Sequence, residues 1–209
     1  VYKRQDLNGV PYGRAASMVA SQILAEILLP YRNREKDAET LLADLCTSYA
    51  RAFQDYDLDQ LPATTVAMAI DCGANWRFLS LGDSGIRING ARVLKHEKLI
   101  DRISTEVRVS IFKILAEKFN DPDEHELVTR QAIFLGLAEA RSRGLLSEDV
   151  VEMLIEETIK NLKLSGISEI VRDFLFLGIR HQNRFSNSDE NILCYDIVSS
   201  RKPVLGQWV

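Results

Sequence analysis

Thr64–His96, TTVAMAIDCGANWRFLSLGDSGIRINGARVLKH, is the stretch that decides the fold. Val66, Met68 and Ile70 alternate with smaller residues, the period-2 pattern of a half-buried strand. Gly73 and Asn75 follow, residue types that tolerate the positive φ of a tight hairpin turn. Trp76, Phe78 and Ser80 line one face of the returning strand, and Leu79 and Leu81 line the other. Gly82-Asp83-Ser84-Gly85 stops that strand and leaves a carboxylate on the corner. A third short strand, Ile86 to Ile88, turns at Asn89-Gly90 into a fourth, Arg92 to Lys95. An acid on a Gly-flanked strand end is a place to meet a ligand or a metal. The plainer reading is that Asp83 caps its own turn.

On the N-terminal side the period changes to that of helices. Ala16, Val19, Ala20, Ile23, Leu24, Ile27 and Leu28 predict a helix from Arg14 to Leu29, ended by Pro30. Leu41, Leu42, Leu45, Tyr49, Ala52 and Phe53 form the stripe of a second, Lys36 to Tyr56. Beyond His96, the spacing of Leu99, Ile103, Val107, Ile111, Ile114 and Leu115 predicts a helix to about Phe119, closed by Asn120-Asp121-Pro122. Further helices fit His125 to Arg143, Ser147 (as N-cap) to Lys163, and Ser168 to Gly178. Ile192 to Val198 alternates again and reads as a last strand. No internal repeat or low-complexity tract is visible.

Composition narrows the class of function. Nearly half the residues are apolar and about a quarter charged, as in an ordinary globular protein. The net charge of -4, with no basic block, argues against a nucleic-acid surface. Cys46, Cys72 and Cys194 are odd in number and contain no CxxC, so a reducing, cytoplasmic setting is expected and a zinc site or disulfide framework is not. No apolar run approaches the ~18 residues of a membrane span. His96, His125 and His181 have no ligand spacing and read as core or solvated residues. Arg180-His181-Gln182-Asn183-Arg184 reads as a polar loop after a helix. One domain over residues 1–209 is expected.

Three landmarks together resemble the PPM (type 2C) metal-dependent protein phosphatases. Asp6-Leu7-Asn8-Gly9-Val10-Pro11-Tyr12-Gly13-Arg14-Ala15-Ala16-Ser17 resembles the family's Asp-Gly turn, Gly-rich loop and following helix. Thr64-Thr65, the hairpin to Gly82-Asp83-Ser84, and the short hairpin to His96 resemble its Thr-Thr strand and Gly-Asp-Ser motif. Ser188-Asp189-Glu190-Asn191-Ile192 resembles the acidic turn before its closing strand. The likeness covers about two thirds of the chain, and the family's first strands would lie before Val1.

What the resemblance implies is an αββα sandwich, an α+β fold of antiparallel sheets with outer helices. It implies two Mg or Mn ions bridged by a hydroxide that attacks a phosphoserine or phosphothreonine of a phosphoprotein substrate. Hard divalent ions prefer carboxylate oxygens, which explains the residue types. Asp6 matches the bridging ligand, Asp83 the acid of a more weakly held extra ion, and Asp189 or Glu190 the ligand on the last strand. No catalytic residue beyond these ligands is singled out.

The chain also departs from the family pattern. Leu7 follows Asp6 where the family has Gly, so Asn8-Gly9 is an alternative counterpart in which the bridging carboxylate has become an amide. No Asp-Gly pair follows Gly85. The rival reading is a pseudophosphatase, a regulatory protein-binding module that kept the sandwich and lost the metals. Residues 99–163 read as a helical insertion in place of the family's flap region. There the helix from Leu99 is expected to pack on the sheet through Ile103, Val107 and Ile111. An antiparallel helix pair is expected beside the metal cleft.

Overall fold

The computed structural model describes residues 6–7, 10–55, 62–117, 121–187, 193–199 and 207–208. The fold is mixed α+β, and the chain divides into two compact units. One, holding the strands found among the described residues, comprises Val1–Glu97, Asn187–Asn191 and Tyr195–Val209. The other, Lys98–Ser186 with Ile192–Cys194, is helical.

The strand unit opens with β1 (Asp6–Leu7) and β2 (Val10–Pro11), paired antiparallel with Leu7 opposite Val10. Helix α1 (Tyr12–Leu28) buries Ala16, Ala20 and Leu24 along one stripe. Helix α2 (Ala38–Ala52) starts where the Asp37 carboxylate accepts the Thr40 amide at 2.8 Å, and it buries Leu41, Leu42, Leu45, Cys46 and Tyr49. The expected hairpin forms as β3 (Val66–Asp71) and β4 (Trp76–Leu81), in register from Val66↔Leu81 to Asp71↔Trp76. Leu79 and Leu81 point into the core with Val66, against α1 and α2 residues. The alternation read from sequence therefore sets the inner face, because a pleated strand sends every second side chain to the same side.

A feature absent from the sequence reading holds the hairpin turn. The 3-10 helix Tyr31–Glu35 lies against it, with the Tyr31 hydroxyl donating to the Cys72 carbonyl. The Arg34 guanidinium donates to the Asp71 carbonyl at 3.0 Å and lies over the Tyr31 ring. Two further strands, β5 (Ile86–Ile88) and β6 (Arg92–Leu94), make a separate hairpin.

The last strand is a correction. Residues 193–198 contribute a single bridge, Thr64 with Val198, rather than a strand beginning at Ile192. The partner of β4 is instead β7 (Gln207–Trp208), in the order β3-β4-β7. The reason is visible in burial. Leu193 and Cys194 sit in the helical core, whereas Ile197 and Val198 are buried in the strand unit, so the alternating run serves two bodies.

In the helical unit, α3 (Leu99–Ala116), α4 (Pro122–Leu135), α5 (Leu137–Ser142), α6 (Glu148–Asn161) and α7 (Ser168–Leu177) share one core. Ser147 caps α6 as expected, its hydroxyl accepting the Val150 amide. The helix expected from His125 to Arg143 is broken at Gly136 (φ 91°, ψ 157°) into α4 and α5. Ile103, Val107 and Ile111 pack among Leu154, Ile155 and Phe174, not on the sheet. A helical stripe specifies which side is buried, and neighbouring helices satisfy it as well as a sheet does.

Candidate functional site

The Gly82–Ser84 corner is gripped from three sides. Where β4 ends, the buried Ser80 hydroxyl donates to the Ser84 carbonyl. The Thr65 and Ser84 hydroxyls lie 2.7 Å apart, one donating its O–H to the other. Thr65 also presses on the turn sterically: a Cβ on Gly82 would stand 2.2 Å from the Thr65 γ-methyl and 3.2 Å from the Asp196 carbonyl oxygen. Gly82 has φ +82°, so both its backbone angle and its surroundings require glycine.

The chain behind this corner is held as firmly. Thr64 and Val198 exchange both backbone hydrogen bonds, at 3.1 and 2.8 Å. The Asn187 side chain acts as a short piece of strand: its Oδ1 accepts the Ile197 amide at 2.7 Å, and its Nδ2 donates to the Ile197 carbonyl and to Ser199 Oγ, each at 3.0 Å. Asp196, directly before these anchors, is the one buried acidic side chain among the described residues. Sequence reading passed over it, although an acid inside Tyr195-Asp196-Ile197-Val198 breaks an otherwise apolar run. The Cys46 thiol is pushed up to about 11 by burial first and by the Asp196 carboxylate as well, against a hydrogen bond from the Ser199 backbone.

Of the four carboxylates expected to bind metal, Asp83 is the one whose side chain is described. It is exposed on the gripped corner and makes no hydrogen bond or ion pair with a described residue. Asp6 lies in β1 opposite Pro11. Asp189 and Glu190, like Asn8, lie outside the described residues. Among the described residues, no three His, Cys, Asp or Glu side chains stand close enough to hold a metal ion. The donor set that the resemblance implies is all carboxylate, a chemistry that suits Mg or Mn, and Asp83 is the member of it that the described residues show, exposed on its turn.

The histidines stay apart. His96 follows β6, while His125 is buried on α4 with its ring 4.2 Å from that of Phe112. His181 lies in the 3-10 turn Ile179–Phe185, where burial and then the flanking Arg180 and Arg184 hold its pKa below the usual range. The three cysteines are buried and form no disulfide. No helix among the described residues is long and apolar enough to cross a membrane.

The strand unit thus defines an α+β body with one rigid, carboxylate-bearing corner. Comparison with protein-family models, with curated proteins and with solved structures finds no match to the chain.

Proposed function

We propose that the chain is a PPM-type, metal-dependent Ser/Thr phosphatase-like domain, built on an αββα sandwich and acting on a phosphoprotein. The observation that carries the reading is the tie between Thr65 and Ser84. It joins the two ends of the central landmark of the resemblance, Thr-Thr and Gly-Asp-Ser, into one corner that leaves the Asp83 carboxylate exposed and without a partner among the described residues. The outer face of the hairpin supports the sandwich. Ala67, Ala69, Phe78 and Trp76, which share that face with Asp71 and Ser80, are apolar residues that a second sheet would cover.

In this reading Asp6, Asp83 and Asp189 or Glu190 hold the ions. A bound Mg or Mn pair would supply a hydroxide nucleophile at neutral pH and neutralise charge on the transferring phosphoryl group. The contribution of the described residues in this reading is to hold the turn that carries Asp83, so that less reorganisation accompanies binding.

The test is Mn-dependent hydrolysis of para-nitrophenyl phosphate by the full-length protein, with Asp83→Ala for comparison. Activity in the wild type that weakens in the variant at limiting Mn supports the reading. A wild-type protein that neither binds Mn nor cleaves the ester ends it.

A second reading, a pseudophosphatase that binds a partner protein, is favoured by the register of the first hairpin. With Leu7 paired to Val10, the link between the strands is Asn8-Gly9, so the dipeptide at the counterpart of the family's Asp-Gly turn begins with an amide. In that case Asn8→Asp should create Mn binding that the wild type lacks.

A further inference from the structure

We propose that Thr65 is the positioning residue for Asp83, setting the direction of its carboxylate through Ser84; this rests on the metal-dependent reading above. Thr65 touches the corner at both ends. Its hydroxyl meets the Ser84 hydroxyl at 2.7 Å, and its γ-methyl occupies the space that a Cβ on Gly82 would need. Asp83 lies between these two grips and is itself exposed.

An exposed carboxylate on a loose turn samples many directions and must lose that freedom when an ion binds. Here the flanking residues are already fixed. Ser80 fixes the Ser84 carbonyl, Thr65 fixes the Ser84 hydroxyl, and the Thr65 methyl with the Asp196 backbone confines Gly82. Thr65 itself is tied down, because Thr64 is bridged to Val198 on one side and Val66 pairs with Leu81 on the other. The hydroxyl of Thr65 therefore acts on the ion site without touching an ion.

The experiment is calorimetric titration of the full chain with Mn2+ alone, in the wild type, Thr65→Val, Thr65→Ser, Ser84→Ala, Asp83→Asn and the Thr65→Val/Asp83→Asn double variant. Valine keeps the γ-methyl and removes the hydroxyl; serine does the reverse. Thr65→Val and Ser84→Ala should each weaken the Asp83-dependent Mn2+ binding about tenfold, the loss of one hydrogen bond's worth of preorganisation. Thr65→Ser should retain most of it. In the Asp83→Asn background, Thr65→Val should change Mn2+ binding no further. Equal Mn2+ affinity in wild type, Thr65→Val and Ser84→Ala would overturn the inference while leaving the metal-dependent reading intact. So would a Thr65→Val effect that persists undiminished in Asp83→Asn. A wild type that binds no Mn2+ overturns both.

Discussion

Gly136 and Gly178 meet backbone to backbone. A Cβ on Gly136 would stand 2.1 Å from the Phe176 carbonyl oxygen, and one on Gly178 would stand 2.3 Å from the Gly136 amide nitrogen. Each glycine ends a helix and starts the next: α4 gives way to α5 at Gly136, and α7 gives way to the 3-10 turn at Gly178. Phe134-Leu135-Gly136-Leu137 and Phe176-Leu177-Gly178-Ile179 place the two glycines in the same short setting, after Phe-Leu and before an aliphatic residue. They cross at the point where each lacks a side chain, so that α5 packs on α7 and the 3-10 turn packs on α4.

Gly178→Ala should therefore destabilise the helical unit by about 3 kcal/mol or more, since the intruding methyl meets backbone atoms rather than a mobile side chain. Gly136→Ala should do the same. Urea unfolding followed by far-UV circular dichroism checks this, and a loss below about 1 kcal/mol in both variants would contradict the crossing.

The Cys46 thiol makes stability fall at high pH. It ionises near pH 9 in the unfolded chain and is held neutral to about 11 in the fold. The unfolded state thus loses its proton first as pH rises. The contribution is fully present below about pH 9, is lost progressively up to about pH 11, and amounts to about 2–3 kcal/mol. Cys46→Ala should flatten that decline in unfolding free energy. A parallel decline in both proteins would assign it to other groups.

Asn187 replaces a strand partner for Ile197 and does so at φ +56°, a region that asparagine tolerates better than most residues. Asn187→Ala should cost about 2–3 kcal/mol, combining three lost side-chain hydrogen bonds with backbone strain. Asn187→Gly removes the bonds without the strain and should cost about 1 kcal/mol less. Denaturant midpoints of the two variants separate these contributions, and equal midpoints would show that the backbone angle is not a burden there.

Asp83→Asn should leave stability within about 0.5 kcal/mol of wild type, because the side chain is exposed and holds no described partner. Any change in Mn2+ binding in that variant is then a property of the site. A melting temperature several degrees lower would instead give Asp83 a structural role.

The hairpin from Val66 to Leu81 and the buried stripes of α1, α2 and α3 were legible in the sequence because each depends on a local period. A pleat buries alternate residues and a helix buries one side, whatever lies opposite. The Gly82-Asp83-Ser84 corner was legible for a similar reason, since Gly and Asp announce a turn by their own backbone preferences. The grip of Thr65 on that corner was not, because it joins residues nineteen apart in the chain. Nor was the Tyr31 clamp on Cys72, forty-one residues away.

Local pattern stopped short wherever the identity of the opposing surface mattered. Ile103, Val107 and Ile111 declare a buried face, but their own spacing carries no information on whether helices or a sheet will cover it. The run from Leu193 to Val198 alternates like a strand, yet its first residues fill a helical core and its last ones pair with Thr64. The strand that does pair with β4 is two residues long, too short to show any period. Sequence by itself determined which side chains leave water, because hydrophobicity and backbone period are properties of neighbouring residues. Tertiary structure alone decided what each buried face meets, because that depends on contacts between segments whose separation along the chain carries no pattern.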